Sequence, residues 1–170
     1  IISYEWHLMR KNKPYYFFGF LFLIFSFLSI YRLRISEDDY SWLLLITIIC
    51  ISTDIGGYVF GKLFKGPKLT KLSPNKTYAG MIGGYILSII FTLYSVQFFD
   101  LLISINLLFF VFIISSMNQL GDITTSYFKR LSELKDTGKI IPGHGGLLDR
   151  LDGMIFAFPL SYILFLIGIL

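Results

Sequence analysis

The stretch WLLLITIICISTDIGGYVFGK, Trp42 through Lys62, decides the fold. Nothing from Trp42 to Thr53 is charged, and a run of ~20 apolar residues is what a helix needs to cross ~30 Å of hydrocarbon. Asp54 then stands within the run, followed by Gly56, Gly57, Tyr58 and Gly61. A carboxylate at bilayer depth is costly and faces a cavity or a partner, so this is a membrane helix with a task.

Working outward, four more apolar runs appear, and together the five cover about 14–34, 41–63, 78–98, 101–121 and 153–170. Of the 170 residues 55% are hydrophobic and 15% charged, and the mean hydropathy is +0.69. A water-soluble domain of ordinary composition is excluded. The expected fold is all-α, a polytopic integral membrane helical bundle of about five transmembrane helices with two polar loops. Ile1 in place of Met, and an apolar run still open at Leu170, lead us to expect part of a longer protein. The first run is too long for a signal-peptide core and lacks a small-residue exit. Cys50 is the single cysteine, so no intrachain disulfide is expected, and packing is its expected role.

Charge placement gives the orientation. Arg10, Lys11 and Lys13 precede the first run; Lys62, Lys65, Lys68, Lys71 and Lys76 lie at or in the second connection; Lys129, Arg130, Lys135, Lys139 and Arg150 lie in the fourth. Alternating spans put these thirteen of the fifteen basic residues on one face. By the positive-inside rule both polar loops are expected in the cytoplasm, where nucleotides are found. A bacterial inner membrane is the expected setting.

The pairs Gly57/Gly61 and Gly80/Gly84 have the spacing that lets helix backbones approach closely. Between them Gly66-Pro67 and Ser73-Pro74 break any helix, and Thr77 is placed to cap the third span. No repeat is present.

From Asp122 to Asp152 runs the long hydrophilic stretch, with five acidic residues, five basic residues, one histidine and a cluster of glycines. A helix is expected over 126–135, then irregular backbone through Gly146, then helix again near Leu147. So balanced a charge does not suit nucleic acid, which wants a basic stripe. It suits a metal and phosphates together, carboxylate oxygens holding a hard cation and Arg or Lys meeting phosphoryl oxygens. Asp149 and Asp152 fall on one face of a helix starting near Leu147, and Asp122 is the natural third ligand for Mg²⁺. Alternatively these aspartates cap helices or pair with Arg150. For Asp149 alone that plainer reading ranks first; for three carboxylates beside Gly145-Gly146, metal does. Pro142 through Gly146 offers bare N–H groups leading to a helix start, a common phosphate cradle.

The run SYFKRLSELKDTGKIIPGHGGLLDRLD, Ser126 through Asp152, resembles the signature of the phosphatidate cytidylyltransferase family: Lys-Arg, then Lys-Asp, then Pro-x-His-Gly-Gly, then Asp-Arg-x-Asp. More than a dozen fixed positions over 27 residues make chance agreement negligible. Asp54-Ile-Gly-Gly-Tyr, Gly61-Lys62, Leu72 through Thr77, and Gln119 through Asp122 are similar to upstream segments of the same family. One departure is Ala79, where the family usually carries Glu before the glycine. The resemblance runs from about residue 41 to the end, which divides the chain into a 1–40 segment with one membrane helix and a 41–170 catalytic membrane domain.

The resemblance implies condensation of CTP with phosphatidic acid to CDP-diacylglycerol and pyrophosphate, with Mg²⁺ required, in a lipid bilayer and as a homodimer. It implies catalytic roles for Lys135, Asp136, His144, Asp149, Arg150 and Asp152, and substrate contacts for Ser73, Lys76, Thr77, Lys129, Arg130, Gly145 and Gly146. Asp122, Asp149 and Asp152 are the expected metal ligands, and Asp54 and Asp136 join the site or orient its basic residues. For His144, phosphate donor and structural roles rank above general base, because a phosphate monoester is already ionised near neutral pH. Two rivals stay open: a CTP-dependent kinase or nucleotidyltransferase acting on a polyprenol-type lipid, and a transporter of a phosphorylated solute. A transporter calls for a midplane site and similar halves, and the sequence shows neither.

Overall fold

The computed structural model describes residues 1–9, 15–36, 40–70, 73, 76–99, 101–134, 136–138 and 145–168. Seven α-helices follow one another among them: α1 Ile2–Leu8, α2 Tyr15–Ser36, α3 Ser41–Phe64, α4 Tyr78–Ser95, α5 Ile105–Leu131, α6 Leu148–Leu151 and α7 Met154–Leu166. A single 3₁₀ turn, Val96–Phe98, extends α4. The helices α2 to α5 are long and apolar enough to cross a membrane. Large side chains such as Phe18, Leu63, Phe64 and Ile105 stand exposed on them, as hydrocarbon-facing positions do.

Three boundaries differ from expectation. The expected fifth span is a 13-residue helix, α7. At 1.5 Å per residue that is ~20 Å, short of a ~30 Å core. The fourth span does not stop near Gly121 but continues to Leu131. No proline or glycine interrupts Asp122 to Leu131, so the helix expected to begin at Ser126 is the far end of α5. And α1 was not expected at all.

Helix α3 ends where Lys65 and Gly66 take positive φ, 52° and 100°. The chain then folds back on itself: Leu69 N–H donates to Lys76 O at 2.7 Å and Tyr78 N–H to Pro67 O at 3.2 Å. Thr77, as expected, caps α4, its Oγ1 accepting the Gly80 N–H at 3.1 Å. Lys76 and Thr77 are thereby held beside the end of α3.

Helices α3 and α4 lie backbone to backbone. A Cβ on Gly80 would fall 2.6 Å from Gly57 O, and one on Gly56 would collide with the Gly83 carbonyl. The close approach expected of the glycines is present, but on α3 its tightest backbone contact is at Gly56, not Gly57 or Gly61. A second close crossing joins α5 to the start of α7. A Cβ on Gly121 would meet Phe156 Cδ2 at 2.8 Å and Asp152 O at 3.0 Å, and one on Gly153 would collide with Asn118 Oδ1. These two glycines let the polar end of α5 touch the Asp152–Gly153 turn.

The main core, around Leu45, Ile49, Phe110, Ile114, Ala157 and Leu164, fills the space between α3, α5 and α7. A second cluster joins Ile2, Trp6, Met9, Leu23, Leu148 and Ile155. It fastens α1 to α2 and to the signature loop.

Candidate active site

Two loops that the charge pattern put on one face meet in one cavity. About 380 Å³ in volume, it is lined by Asp54 from α3, by Ser73, Lys76 and Thr77 from the loop before α4, by Asp122 from α5, and by Asp149, Arg150 and Asp152 from the signature segment. Four carboxylates and two cationic side chains thus share one space. A neighbouring cavity of about 230 Å³, between Trp6, Phe22, Phe128 and Phe156, is apolar and offers no chemistry.

The ionic order of the site is definite. Lys76 Nζ pairs with Asp122, tying the first polar loop to α5. Lys129 Nζ, about two turns farther along α5, pairs with Asp149 Oδ1 at 2.9 Å. The other Asp149 oxygen accepts the N–H groups of Thr137 at 2.8 Å and Gly146 at 2.9 Å. Burial alone would raise the Asp149 carboxyl, but the Lys129 hydrogen bond and these two backbone donors outweigh it and hold it below the usual carboxylate range. Asp152 is pushed the opposite way. Burial and the neighbouring Asp122 charge raise its carboxyl well above the usual value, against the pull of Lys129. Two aspartates three residues apart are therefore shifted in opposite directions by their surroundings.

Asp54 receives Asn118 Nδ2–H at 2.7 Å. The Asn118 side-chain oxygen is buried with no hydrogen-bond partner among the described residues. The four carboxylates of the cavity offer oxygen, which suits a hard cation such as Mg²⁺. As the side chains stand, no three carboxylates among the described residues converge tightly enough to hold an ion, since Asp122 and Asp149 are engaged by lysines.

Of the remaining expected site residues, Lys129 acts on the cavity through Asp149, and Gly146 through its N–H. Gly145, at φ 83°, packs a hypothetical Cβ 2.8 Å from Asp149 Oδ2 and 3.5 Å from Asp136 Cβ, so only glycine fits there. Asp136 and Arg130 are exposed and do not line the cavity. Lys135 and His144 lie outside the described residues. Ala79 stands in the first turn of α4, which carries no acidic residue.

Sequence reading missed Glu5. This carboxylate is fully buried and accepts the Leu147 N–H at 2.9 Å and the Leu148 N–H at 2.6 Å. Its only trace in sequence is a lone acid ahead of the Arg10–Lys13 basic cluster. Asn118, near the end of the fourth apolar run, likewise has no role in the sequence reading.

Comparison with known proteins agrees with this geometry. The profile of the Cytidylyltransferase family matches residues 5–167, reaching well ahead of residue 41, where the motif resemblance begins. The phosphatidate cytidylyltransferase of Staphylococcus saprophyticus is 38% identical over 174 aligned residues, 96% of this chain and 65% of that protein. Those of Staphylococcus epidermidis and Staphylococcus aureus are 38% and 37% identical over the same share. The chain thus spans 65% of the length of these relatives. A profile match over nearly the whole length, together with a cavity built from both halves of the motif set, leads to one conclusion: the chain belongs to the cytidylyltransferase family.

Proposed function

We propose that the protein is a phosphatidate cytidylyltransferase, transferring CMP from CTP to phosphatidic acid with release of pyrophosphate. The observation that carries this reading is the cavity that joins Lys76 and Thr77 of one loop to Asp122, Asp149, Arg150 and Asp152 of the other. Both substrates are polyanions, which suits the cationic side chains of Lys76 and Arg150 in the cavity lining.

In the proposed reaction a phosphate oxygen of the lipid attacks the α-phosphorus of CTP in line; the bond from that phosphorus to the bridging oxygen breaks, and pyrophosphate leaves with the electron pair. Positioning and electrostatics do most of the work. Lys76 and Lys129, held in the free site by Asp122 and Asp149, exchange those partners for phosphoryl oxygens when the nucleotide arrives. Arg150 offers a planar pair of donors to the same oxygens, and the Ser73 and Thr77 hydroxyls complete the nucleotide or lipid-phosphate contacts. The lipid phosphate is ionised at neutral pH, so no residue need act as its base. Asp122, Asp149 and Asp152, freed from the lysines by that exchange, would hold Mg²⁺, which when bound stabilises charge on the departing pyrophosphate.

In the same reading the polar loops face the cytoplasm of a bacterial inner membrane, and two copies associate as a homodimer. A cysteine replacing exposed Lys68 should react with impermeant reagents only from the cytoplasmic side, the native Cys50 being buried. Labelling from outside intact cells would reverse the orientation.

The activity is tested with full-length protein, radiolabelled CTP, Mg²⁺ and phosphatidic acid, with a polyprenol and diacylglycerol as competing acceptors. CDP-diacylglycerol is the expected product. Label in another lipid, and none in CDP-diacylglycerol, would overturn the assignment.

A further inference from the structure

Glu5 lies 144 positions from Asp149 in sequence, yet its carboxylate sits inside the loop that carries Asp149. Oε1 takes the Leu147 N–H, and Oε2 takes the Leu148 N–H together with a long contact, 3.4 Å, from Thr137 Oγ1–H. The loop closes around it. A Cβ on Gly138 would come within 3.0 Å of Oε1, and one on Gly146 within 2.8 Å. Asp149 grips the same loop from its other side, through the N–H groups of Thr137 and Gly146. The two carboxylates therefore take up four backbone donors of this loop, Glu5 the pair at the start of α6 and Asp149 one on each side of the loop.

The helix that carries Glu5 is itself fastened. Trp6 Nε1–H donates to Tyr16 O at 3.1 Å, and the indole meets the Phe128 ring edge-on with centroids 5.4 Å apart. Gly19 leaves the indole its space, because a Cβ there would overlap it. Glu5 is thus presented from a helix packed against both α2 and α5.

We propose that Glu5 is a positioning residue of the active site: from outside the signature motif it fixes the backbone at Leu147 and Leu148, and through it the aim of Asp149 and Arg150 into the cavity. The kinetic part of this inference rests on the cytidylyl-transfer reading. The structural part does not.

The test compares wild type, Glu5→Gln and Glu5→Asp as full-length protein in nanodiscs. A glutamine presents one acceptor oxygen and turns an NH₂ toward a second N–H, so it cannot hold both donors. In Glu5→Gln, hydrogen exchange at 146–149 should rise about tenfold or more, with amides of α3 and α4 unchanged. Turnover should fall about tenfold to a hundredfold while KM for CTP moves less than about threefold, because the Lys76 loop is untouched. Glu5→Asp keeps the charge on a shorter arm and should recover part of both losses; it also supplies the comparison if Glu5→Gln is not recovered folded. A residue that served folding alone would lower the yield and leave kcat of the folded fraction unchanged. Unchanged exchange at 146–149 in the variants overturns the anchor, and raised exchange with wild-type kcat overturns the positioning role. If wild type transfers no cytidylyl group, the functional reading fails and the exchange arm still decides whether Glu5 holds the loop.

Discussion

Lys129 Nζ stands 2.9 Å from Asp149 Oδ1 while the second oxygen of that carboxylate holds the N–H groups of Thr137 and Gly146. One carboxylate thus joins the end of α5 to both sides of the signature loop. Its pKa is depressed in the folded protein. A depressed carboxylate contributes stability that is present above its unfolded value, ~3.9 for Asp, and is lost as pH falls through the folded value. Removing the lysine moves that loss to higher pH. The melting temperature of Lys129→Met should therefore begin to fall at a higher pH than that of wild type, and coincident pH profiles would show that the pair does not couple to folding.

Asp152 gives the opposite sign. Its carboxyl is raised by burial and by Asp122, so its ionisation opposes folding at any pH above the ordinary carboxylate value. Asp152→Asn removes that cost. The variant should melt no lower than wild type at pH 7, yet turn over about a hundredfold slower or worse, with weakened Mg²⁺ dependence. Wild-type metal dependence would take Asp152 out of the metal site, and a large loss of stability would contradict its strained charge.

Much of this site was legible in sequence because it is written in local signals. The apolar runs gave α2, α3 and α4 nearly to the residue, Thr77 announced its cap, and the asymmetry of Lys and Arg put the two loops together without any structure. What was not legible depends on contacts far apart in the chain. Seven residues of α1 carry too little periodicity to register as an element, and Glu5 has meaning only once Leu147 and Leu148 are beside it. The end of α5 was misplaced for a different reason. The fourth apolar run gives out near Gly121, but a helix stops at a broken backbone, not at a change of polarity.

The glycines of α3 allow a sharper test than their spacing did. A methyl on Gly56 would collide with the Gly83 carbonyl, and backbone on both sides leaves no flexible atom to give way. One on Gly57 would have only Gly80 O near it, at an ordinary 3.9 Å. Gly56→Ala should therefore destabilise the bundle by about 1–3 kcal/mol, as overpacking does, while Gly57→Ala should be close to neutral. Thermal unfolding in detergent separates them; equal effects would mean that the α3–α4 contact tolerates the shift.

The pairing of Lys76 with Asp122 makes the last prediction, because it joins the two polar loops directly. Taking away Lys76 leaves Asp122 facing Asp152 without its cation, so Lys76→Met should destabilise the protein and also weaken CTP binding, raising KM about tenfold. Asp122→Asn removes the charge that is left over. If the pair is what holds the loops together, the double variant should be more stable than the sum of the single losses, by a coupling of about 0.5–3 kcal/mol. Its activity should not return, since phosphate contact and carboxylate are then both missing. Stability effects that add within about 0.3–0.5 kcal/mol would show that the two residues act independently, and that the loops are held by their backbones alone.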